Sequence, residues 1–311
     1  MRIAPPGRMV NGLHVWASGH GKPVVVLEAG IAASSVSWSL VQPRVAEFTR
    51  VLSYDRAGFG WSEAGSGSGT ARNRAGTAGN AAGDLNRMLE QSHEPGPYVL
   101  VGHSYGGLIV RVFQQLYPDR VAGLVLVDPV VRSEWRVPTE ARRRMLGRGV
   151  TLSRRGALLA RIGVVRVALK LLMSGSRRIP QAMARIFAGN GAGNGASVTG
   201  RLTGEVRKMP REHWPAIAQH WSEARSFRAM ADNLENLPVS AAQLDENAGL
   251  GDLPMAVLSP ANAPAEHLRD ARLSSVGEHV VAPDSGHWMQ LDAPDVVVAA
   301  IGRVVAKVRA R

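Results

Sequence analysis

PYVLVGHSYGGL, residues 97–108, joins an apolar run to a serine flanked by glycines and then to a helical pattern. The run 98–101 is typical of a strand buried on both faces of a sheet. After the glycines, apolar residues recur at the spacing of an amphipathic helix, at Leu108, Ile109, Val112, Phe113 and Leu116. A strand, a G-x-S-x-G turn and a helix in this order predict a sharp turn that presents the hydroxyl of Ser104. Gly102 and Gly106 leave the space that such a strained turn needs.

Further apolar runs on both sides of this turn predict the other strands of a sheet. They are VVVLEAG from Val24, RVLSYDR from Arg50, AGLVLVDP from Ala122, PMAVLSP from Pro254 and GEHVVAP from Gly277. Up to Val127 the runs alternate with longer helical patterns, which is typical of βαβ units and a parallel sheet. Residues 294–309 predict a closing helix, whose last turn carries two cations that suit its dipole. The predicted class is α/β, with helices on both faces of a mostly parallel sheet.

A long helical segment interrupts the strand pattern after the predicted strand that ends near Asp128. Between 129 and 237 the strand signals vanish and arginine-rich helical patterns replace them. We therefore predict a core domain formed by residues 1–128 and 238–311, with a helical cap, or lid, inserted at 129–237. An insertion at this point would lie over the carboxyl edge of the sheet, where open α/β sheets bind their ligands.

One stretch of the predicted cap is unusually apolar. Its main stripe consists of Leu158, Ile162, Val165, Leu169 and Leu172, and further apolar residues lie around it. Such a helix is expected to be buried on two sides by its neighbours and by the core domain. Contact with a membrane surface or with a second copy of the chain is the alternative explanation.

Composition excludes several classes of protein. The chain has 311 residues, 45% of them hydrophobic and 20% charged, which excludes a wholly disordered chain, a collagen-like repeat and a coiled coil. The absence of cysteine excludes disulfides, thiolate metal sites, iron–sulfur clusters and a cysteine nucleophile. The N-terminal residues lack the apolar run of a secretory signal, and no apolar stretch is long enough to cross a bilayer. We therefore expect a cytoplasmic protein.

The net charge of +12 belongs to the predicted cap. Residues 132–228 contain 20 Lys and Arg against 5 Asp and Glu, so the rest of the chain is slightly acidic. Because the excess is confined to one segment and consists almost entirely of arginine, we do not expect a nucleic acid partner. Anionic substrates, or peripheral contact of the basic cap with a lipid surface, remain candidate roles for this charge.

A serine hydroxyl needs a base that removes its proton, and His287 is the predicted base. It lies in the loop between the last predicted strand and the last helix, which places it at the same sheet edge as Ser104. His103, His267 and His279 are predicted to be packing or surface residues, because they lie beside the turn, in a predicted helix and in a predicted strand.

These motifs resemble those of the α/β-hydrolase superfamily with a cap domain. The matching stretches are GHSYGG at 102–107, DRAGFGWS at 55–62, LVLVDP at 124–129 and SGHW at 285–288. The resemblance implies an eight-stranded sheet, no cofactor and no metal ion. It also implies an oxyanion hole formed by the backbone N–H groups of Ile31 and Tyr105, and a bracing role for DRAGFGWS beneath the site.

The acid of the implied Ser-His-acid triad is less easily assigned. Most members of the superfamily carry it after the seventh strand, where this chain has SPANAPAEHLRD without a carboxylate at the strand end. Asn262 stands near the expected place, and Glu266 and Asp270 follow in a predicted helix. Some relatives use the end of the sixth strand instead, and Asp128 is there. We predict Asp128 as the acid of the triad, and Glu266 is the alternative candidate. If Asp128 is not catalytic, its role is simply to cap the end of the strand.

The predicted activity is that of an esterase or lipase-like serine hydrolase acting on a small-molecule ester or related acyl compound, with an apolar acyl or alcohol group. Serine at the turn argues against haloalkane dehalogenase or epoxide hydrolase activity, since such relatives have an aspartate there. Lactone, amide, peptide or carbon–carbon bond hydrolysis and acyl transfer on the same scaffold are alternatives. So is a non-catalytic, ligand-binding member of the fold. The oligomeric state is left open.

Overall fold

A twisted sheet of eight strands forms the centre of the protein in the computed structural model, which describes residues 6–64, 76–173, 208–245 and 248–311. The strands are β1 (Arg8–Val10), β2 (Leu13–Ser18), β3 (Val24–Glu28), β4 (Val51–Tyr54), β5 (Tyr98–His103), β6 (Val121–Val127), β7 (Met255–Pro260) and β8 (Glu278–Ala282). Their spatial order is β1-β2-β4-β3-β5-β6-β7-β8. The pairs β1–β2 and β2–β4 are antiparallel and all the others are parallel.

Helices cover both faces of this sheet. Over the described residues they are α1 (Gln42–Val45), α2 (Ala78–Gln91), α3 (Tyr105–Leu116), α4 (Arg132–Arg136), α5 (Glu140–Arg161), α6 (Val164–Met173), α7 (Trp214–Trp221), α8 (Ala224–Glu235), α9 (Leu237–Ala242), α10 (Ala265–Ala271), α11 (Met289–Asp292) and α12 (Pro294–Arg309). Helices α2 and α3 pack on one face and α12 on the other. Among the described residues, no helix is both long enough and apolar enough to cross a membrane.

The alternation of side chains along the central strands explains the two layers of core. Val24 and Val26 of β3 pack with α2 and α3, whereas Val25 and Leu27 pack with α12. All of β3 is buried. Successive side chains of a strand point to opposite faces, so a strand covered by helices on both sides is expected to be mostly apolar, as Val24 to Leu27 are.

The structure confirms the predicted fold class. All six predicted strands are present, and the closing helix α12 spans the predicted residues. Helix α3 begins at Tyr105, directly after the serine turn. The apolar pattern did not reveal β1 and β2, because β1 has only three residues, two of them exposed, and β2 is buried over only half its length.

The described residues between β6 and β7 form the helices α4 to α9 and their connecting loops. Helix α5 packs along α8, where Gly156 lies so close to the ring of Phe227 that an added Cβ would be 2.5 Å from it. The expected burial of the apolar stripe holds only in part: Val165 is buried in a cluster with Phe227 and Leu169 packs against that cluster, while the side chain of Leu172 lies outside the described residues. Gly163, with a φ of 80°, ends α5, and Leu158 and Ile162 remain 62% and 65% exposed.

Candidate active site

Ser104 occupies a strained turn between β5 and α3. Its φ of 53° and ψ of −118° lie outside the regions that residues with a side chain ordinarily adopt. A Cβ at Gly102 would lie 2.4 Å from the carbonyl oxygen of Gly106, and one at Gly106 would lie 2.5 Å from the carbonyl oxygen of Glu28. Glycine is therefore required on both sides of the serine. The side chain of Ser104 is half-buried.

The turn is tied to the end of the neighbouring strand β6, which carries Asp128. The backbone N–H of Ser104 donates to the carbonyl of Val127 at 3.0 Å, and the N–H of Val130 donates to the carbonyl of Ser104 at 3.2 Å. Asp128 has a φ of 42°, so the acid also lies on a strained turn. Both residues are thereby held at the carboxyl edge of the sheet.

His287 meets Asp128 at this edge. The Nδ1 of His287 and the Oδ2 of Asp128 are 2.6 Å apart, although the two residues are 159 positions apart in the chain. The carboxylate is only 12% exposed, whereas the imidazole is 52% exposed. A short bond from Nδ1–H to a sheltered carboxylate leaves Nε2 as the nitrogen that can accept a proton.

The two predicted oxyanion donors belong to residues next to the Ser104 turn. Tyr105 follows it and opens α3, so its N–H has no acceptor within the helix. Ile31 follows Gly30, where an added Cβ would lie 3.4 Å from the Cβ of Ser104. Within the described part of the chain, neither N–H has a hydrogen-bond partner.

Arg56 holds the peptide that carries the Ile31 N–H. Its guanidinium donates to the carbonyl of Gly30 at 2.6 Å, to the carbonyl of Ala29 and to the carboxylate of Glu28. Because the C=O and N–H of a trans peptide point in opposite directions, anchoring the Gly30 carbonyl turns the Ile31 N–H away from Arg56. Burial raises the pKa of Glu28, and the attraction of Arg56 opposes that rise.

Asp55, which begins the DRAGFGWS motif, also braces the loop after β3. Its carboxylate accepts the N–H of Ser35 at 2.7 Å and the N–H of Trp61 at 3.0 Å, and it lies 3.2 Å from the Nδ1 of His14. Burial raises the pKa of Asp55, but the hydrogen bonds and charge of His14 and the backbone N–H groups outweigh it, so the pKa is lowered. The motif therefore connects β2, β4 and the loop after β3.

His103 supports the loop that carries His287, a role that the sequence did not reveal. Its Nε2 lies 2.9 Å from the carbonyl oxygen of His287, and the side-chain amide of Gln290 donates to its Nδ1 at 3.2 Å. A carbonyl can only accept, so Nε2 carries the proton; Nδ1 accepts from Gln290 and is therefore unprotonated, so the ring is neutral. Burial, together with the neighbouring His287, lowers the pKa of His103 to about 3.

His267 supports the turn that carries Asp128. Its Nε2–H donates to the carbonyl of Pro129 at 2.9 Å, and its Nδ1 lies 2.8 Å from the Oγ of Ser259. Ser259 in turn contacts the Nε2 of His279 at 3.0 Å. His267 and His279 are therefore packing residues, as predicted. His267 packs directly beneath Asp128, the candidate acid.

The alternative acids are engaged elsewhere. Glu266 accepts hydrogen bonds from the N–H and the hydroxyl of Ser133, at the start of α4. Asp270 lies 3.2 Å from the guanidinium of Arg111. Asn262 is exposed. Of the four candidates, the structure brings only Asp128 to His287 among the described residues.

A small apolar cavity adjoins the site. It has a volume of about 50 Å³, and its walls include Ala32, Val36, Ile217, Trp221 and Trp288. Ala32 follows Ile31 in the chain and Trp288 follows His287. Ile217 and Trp221 belong to α7. The cavity therefore lies between the candidate oxyanion loop and the inserted helices.

His220 of α7 connects the inserted helices to the oxyanion loop. Its Nδ1 accepts the N–H of Gly60 at 2.8 Å, and its Nε2–H donates to the carbonyl of Ala32 at 3.2 Å. Burial lowers the pKa of His220.

The described ranges contain no group of three or more histidine or carboxylate side chains that could hold a metal ion.

Comparison with known proteins agrees with this fold. Residues 23–155 match the family model for the alpha/beta hydrolase fold. An AB hydrolase superfamily protein of Gibberella zeae is 34% identical over 110 residues, which make up 34% of this chain and 32% of that protein. The aligned residues amount to about a third or less of the length of each of the first curated relatives.

Solved structures share the fold over nearly the whole chain. A proposed epoxide hydrolase of Pseudomonas aeruginosa has a TM-score of 0.69 at 18% identity, covering 96% of this chain and 92% of that one. A thermophilic esterase from Thermogutta terrifontis has a TM-score of 0.60 at 24% identity, covering 95% and 93%. The protein thus has an α/β-hydrolase fold. Over residues 23–155 the chain is also similar to the alpha/beta hydrolase family.

Proposed function

We propose that the protein is a serine hydrolase that cleaves a carboxylic ester or a related acyl bond. The observation that carries this proposal is the 2.6 Å contact between His287 and Asp128 at the sheet edge where Ser104 stands on its strained turn. A nucleophile on such a turn, a base and an acid that orients the base are the three parts that acyl transfer by serine requires.

In the first half of the reaction, the Oγ of Ser104 attacks the acyl carbonyl carbon, and the Nε2 of His287 takes the hydroxyl proton. Asp128 accepts the Nδ1–H bond and stabilises the imidazolium that forms. The carbonyl oxygen, now negatively charged, is stabilised by the N–H groups of Ile31 and Tyr105. His287 then donates its proton to the leaving oxygen, and the alcohol departs from the acyl-enzyme.

In the second half, His287 removes a proton from water, and the resulting hydroxide attacks the acyl carbon of the ester on Ser104. The same two N–H groups stabilise the second oxyanion. Collapse of this intermediate returns the proton to the Ser104 oxygen and releases the carboxylic acid.

The cavity favours a small acyl group. A water molecule needs about 10–15 Å³ of such space, so a cavity of about 50 Å³ holds roughly three to five non-hydrogen atoms. His287, which protonates the leaving group, is half exposed. We therefore assign the apolar cavity to the acyl group and the open side to the alcohol. In this proposal the helices of the cap, 129–237, form one wall through Ile217 and Trp221.

Labelling with a fluorophosphonate probe tests the proposal. The wild-type protein should be labelled stoichiometrically, and Ser104→Ala should not be labelled. Hydrolysis of p-nitrophenyl esters should be fastest for acyl groups of about two to four carbons, since longer chains exceed the cavity. Folded wild-type protein that is neither labelled nor active would instead support a ligand-binding role.

A matched pair of variants tests the acid. Asp128→Asn should lower kcat by about 10⁴-fold, because it removes the carboxylate that fixes the imidazole tautomer. Glu266→Gln makes the same chemical change at a carboxylate bonded to Ser133 and should leave kcat within about twofold of wild type. Loss of activity in the Glu266 variant alone would show that the acid is misassigned.

A further inference from the structure

Helices α5 and α6 present a cationic surface that the proposed chemistry does not use. Between residues 140 and 173 there are nine Lys and Arg and one acidic residue, Glu140. The buried side of α5 consists of small and apolar residues that pack toward α8. The opposite side carries a line of exposed residues at helical spacing, Arg144, Arg148, Thr151, Arg155, Leu158 and Ile162.

Most of these cations lack an acidic partner. Within the described ranges, Arg148, Arg155, Arg161, Arg166 and Lys170 have no carboxylate within 4.0 Å. An unpaired cluster of one sign repels itself unless counter-charges lie nearby. The surface is therefore electrostatically suited to an anionic partner.

Exposed aliphatic side chains lie among these cations where α5 meets α6. Leu158 is 62% exposed, Ile162 is 65% exposed and Val167 is 57% exposed. Arg161 and Arg166 flank the turn at Gly163, beside these residues. The combination of protruding aliphatic residues and flanking cations is typical of segments that lie in the interface of a lipid bilayer.

We propose that this surface, which we call the α5–α6 face, binds the surface of membranes that contain anionic lipids. The cations would contact lipid phosphates and carboxylates, and the three aliphatic residues would enter the boundary between headgroups and acyl chains. A second copy of the chain is a poor occupant, because two such faces would bring like charges together. A nucleic acid would pair with the arginines but would leave the aliphatic residues in water.

Vesicle co-sedimentation of the full chain tests this proposal. Binding should be strong to vesicles of phosphatidylcholine mixed with phosphatidylserine and weak to vesicles of phosphatidylcholine alone. Added salt should weaken the binding, because it screens exposed charges beyond about 10 Å at 0.1 M. Equal binding to both kinds of vesicle, or binding that does not respond to salt, would overturn the proposal.

Two triple variants separate the contributions of the cations and of the aliphatic side chains to vesicle binding. Arg144→Ala/Arg148→Ala/Arg155→Ala should weaken binding to the anionic vesicles by roughly fivefold per arginine, or about 100-fold in all. Leu158→Ser/Ile162→Ser/Val167→Ser should weaken it as well while leaving the response to salt unchanged.

The matched control removes the same charge from the sheet domain. Arg269, Arg272 and Arg303 are exposed there, and their triple substitution by alanine should leave vesicle binding within about twofold of wild type. If the control loses as much binding as the α5–α6 variant, net charge rather than this face is responsible. If the α5–α6 variant loses binding to duplex DNA but not to vesicles, or if the serine variant converts a dimer to a monomer, the partner is not a membrane.

Discussion

At the scale of single residues, a buried neutral imidazole holds the loop of the candidate base. His103 carries its proton on Nε2, where it donates to the carbonyl of His287, and its pKa is about 3. In the unfolded chain a histidine titrates near 6.5. Between these two values the unfolded state binds one more proton than the folded state at this residue, so this residue makes the protein less stable as the pH falls below about 6.5.

His103→Gln should therefore flatten the pH dependence of stability. Glutamine can place an N–H near the position of Nε2 but does not titrate. Between pH 6.5 and pH 4.5 the free energy of unfolding of the wild type should fall more steeply than that of the variant, by up to about 1.4 kcal/mol per pH unit. Urea unfolding at several pH values measures this. His20→Gln, at an exposed histidine, is the control, and identical slopes for wild type and His103→Gln would contradict the assignment.

Arg56 acts on the site through the backbone. Arg56→Lys keeps the positive charge but cannot reach Glu28 and the carbonyls of Ala29 and Gly30 together, because an ammonium lacks the planar fork of a guanidinium. We expect kcat to fall by about 10–100-fold with little change in KM, since a misdirected Ile31 N–H weakens only the oxyanion contact. Arg87→Lys makes the same change at an exposed ion pair with Asp84 and should leave kcat and KM unchanged. An unchanged kcat in folded Arg56→Lys would show that the loop does not need this anchor.

At the scale of elements, α5 offers two glycines in contrasting surroundings. Gly147 lies on the exposed side with nothing within 4 Å of an added Cβ, whereas Gly156 faces the ring of Phe227. Gly147→Ala should raise the free energy of unfolding by about 0.5–1 kcal/mol, because it reduces the entropy of the unfolded chain without a clash.

Gly156→Ala makes the same chemical change but should lower the free energy of unfolding by about 1–3 kcal/mol, since the α5–α8 contact must open. Urea denaturation of both variants measures the difference. Stabilisation by both substitutions would mean that α5 does not pack closely on α8.

At the scale of the whole molecule, local order explains what could be predicted from the sequence. Ser104 could be predicted because a strand, a turn and a helix lie within a dozen residues, and the sheet could be predicted because its central strands are mostly apolar. The acid was harder to assign, because several loops end at the same edge and only their folding decides which of them meets His287.

Other features depend on contacts between distant parts of the chain. His220 bonds Ala32 across 188 positions, and His103 bonds His287 across 184, so no local pattern could indicate either role. Leu158 and Ile162 illustrate a further limit. Periodicity shows that a helix face is apolar, but it does not show whether another element covers that face.

The pairing of β6 with β7 affects how the chain folds while it is being synthesised. β6 carries VAGLVLV, and its partner β7 begins only at Met255, after the long inserted segment has been made. During synthesis, one edge of β6 therefore keeps its backbone N–H and C=O groups unpaired until β7 has been made. Such an unpaired strand edge is a template for aggregation. His287 emerges later still. A nascent chain on the ribosome thus carries the nucleophile without its base, so we expect chaperone dependence to centre on this strand and activity to begin only after the C-terminal strands have docked.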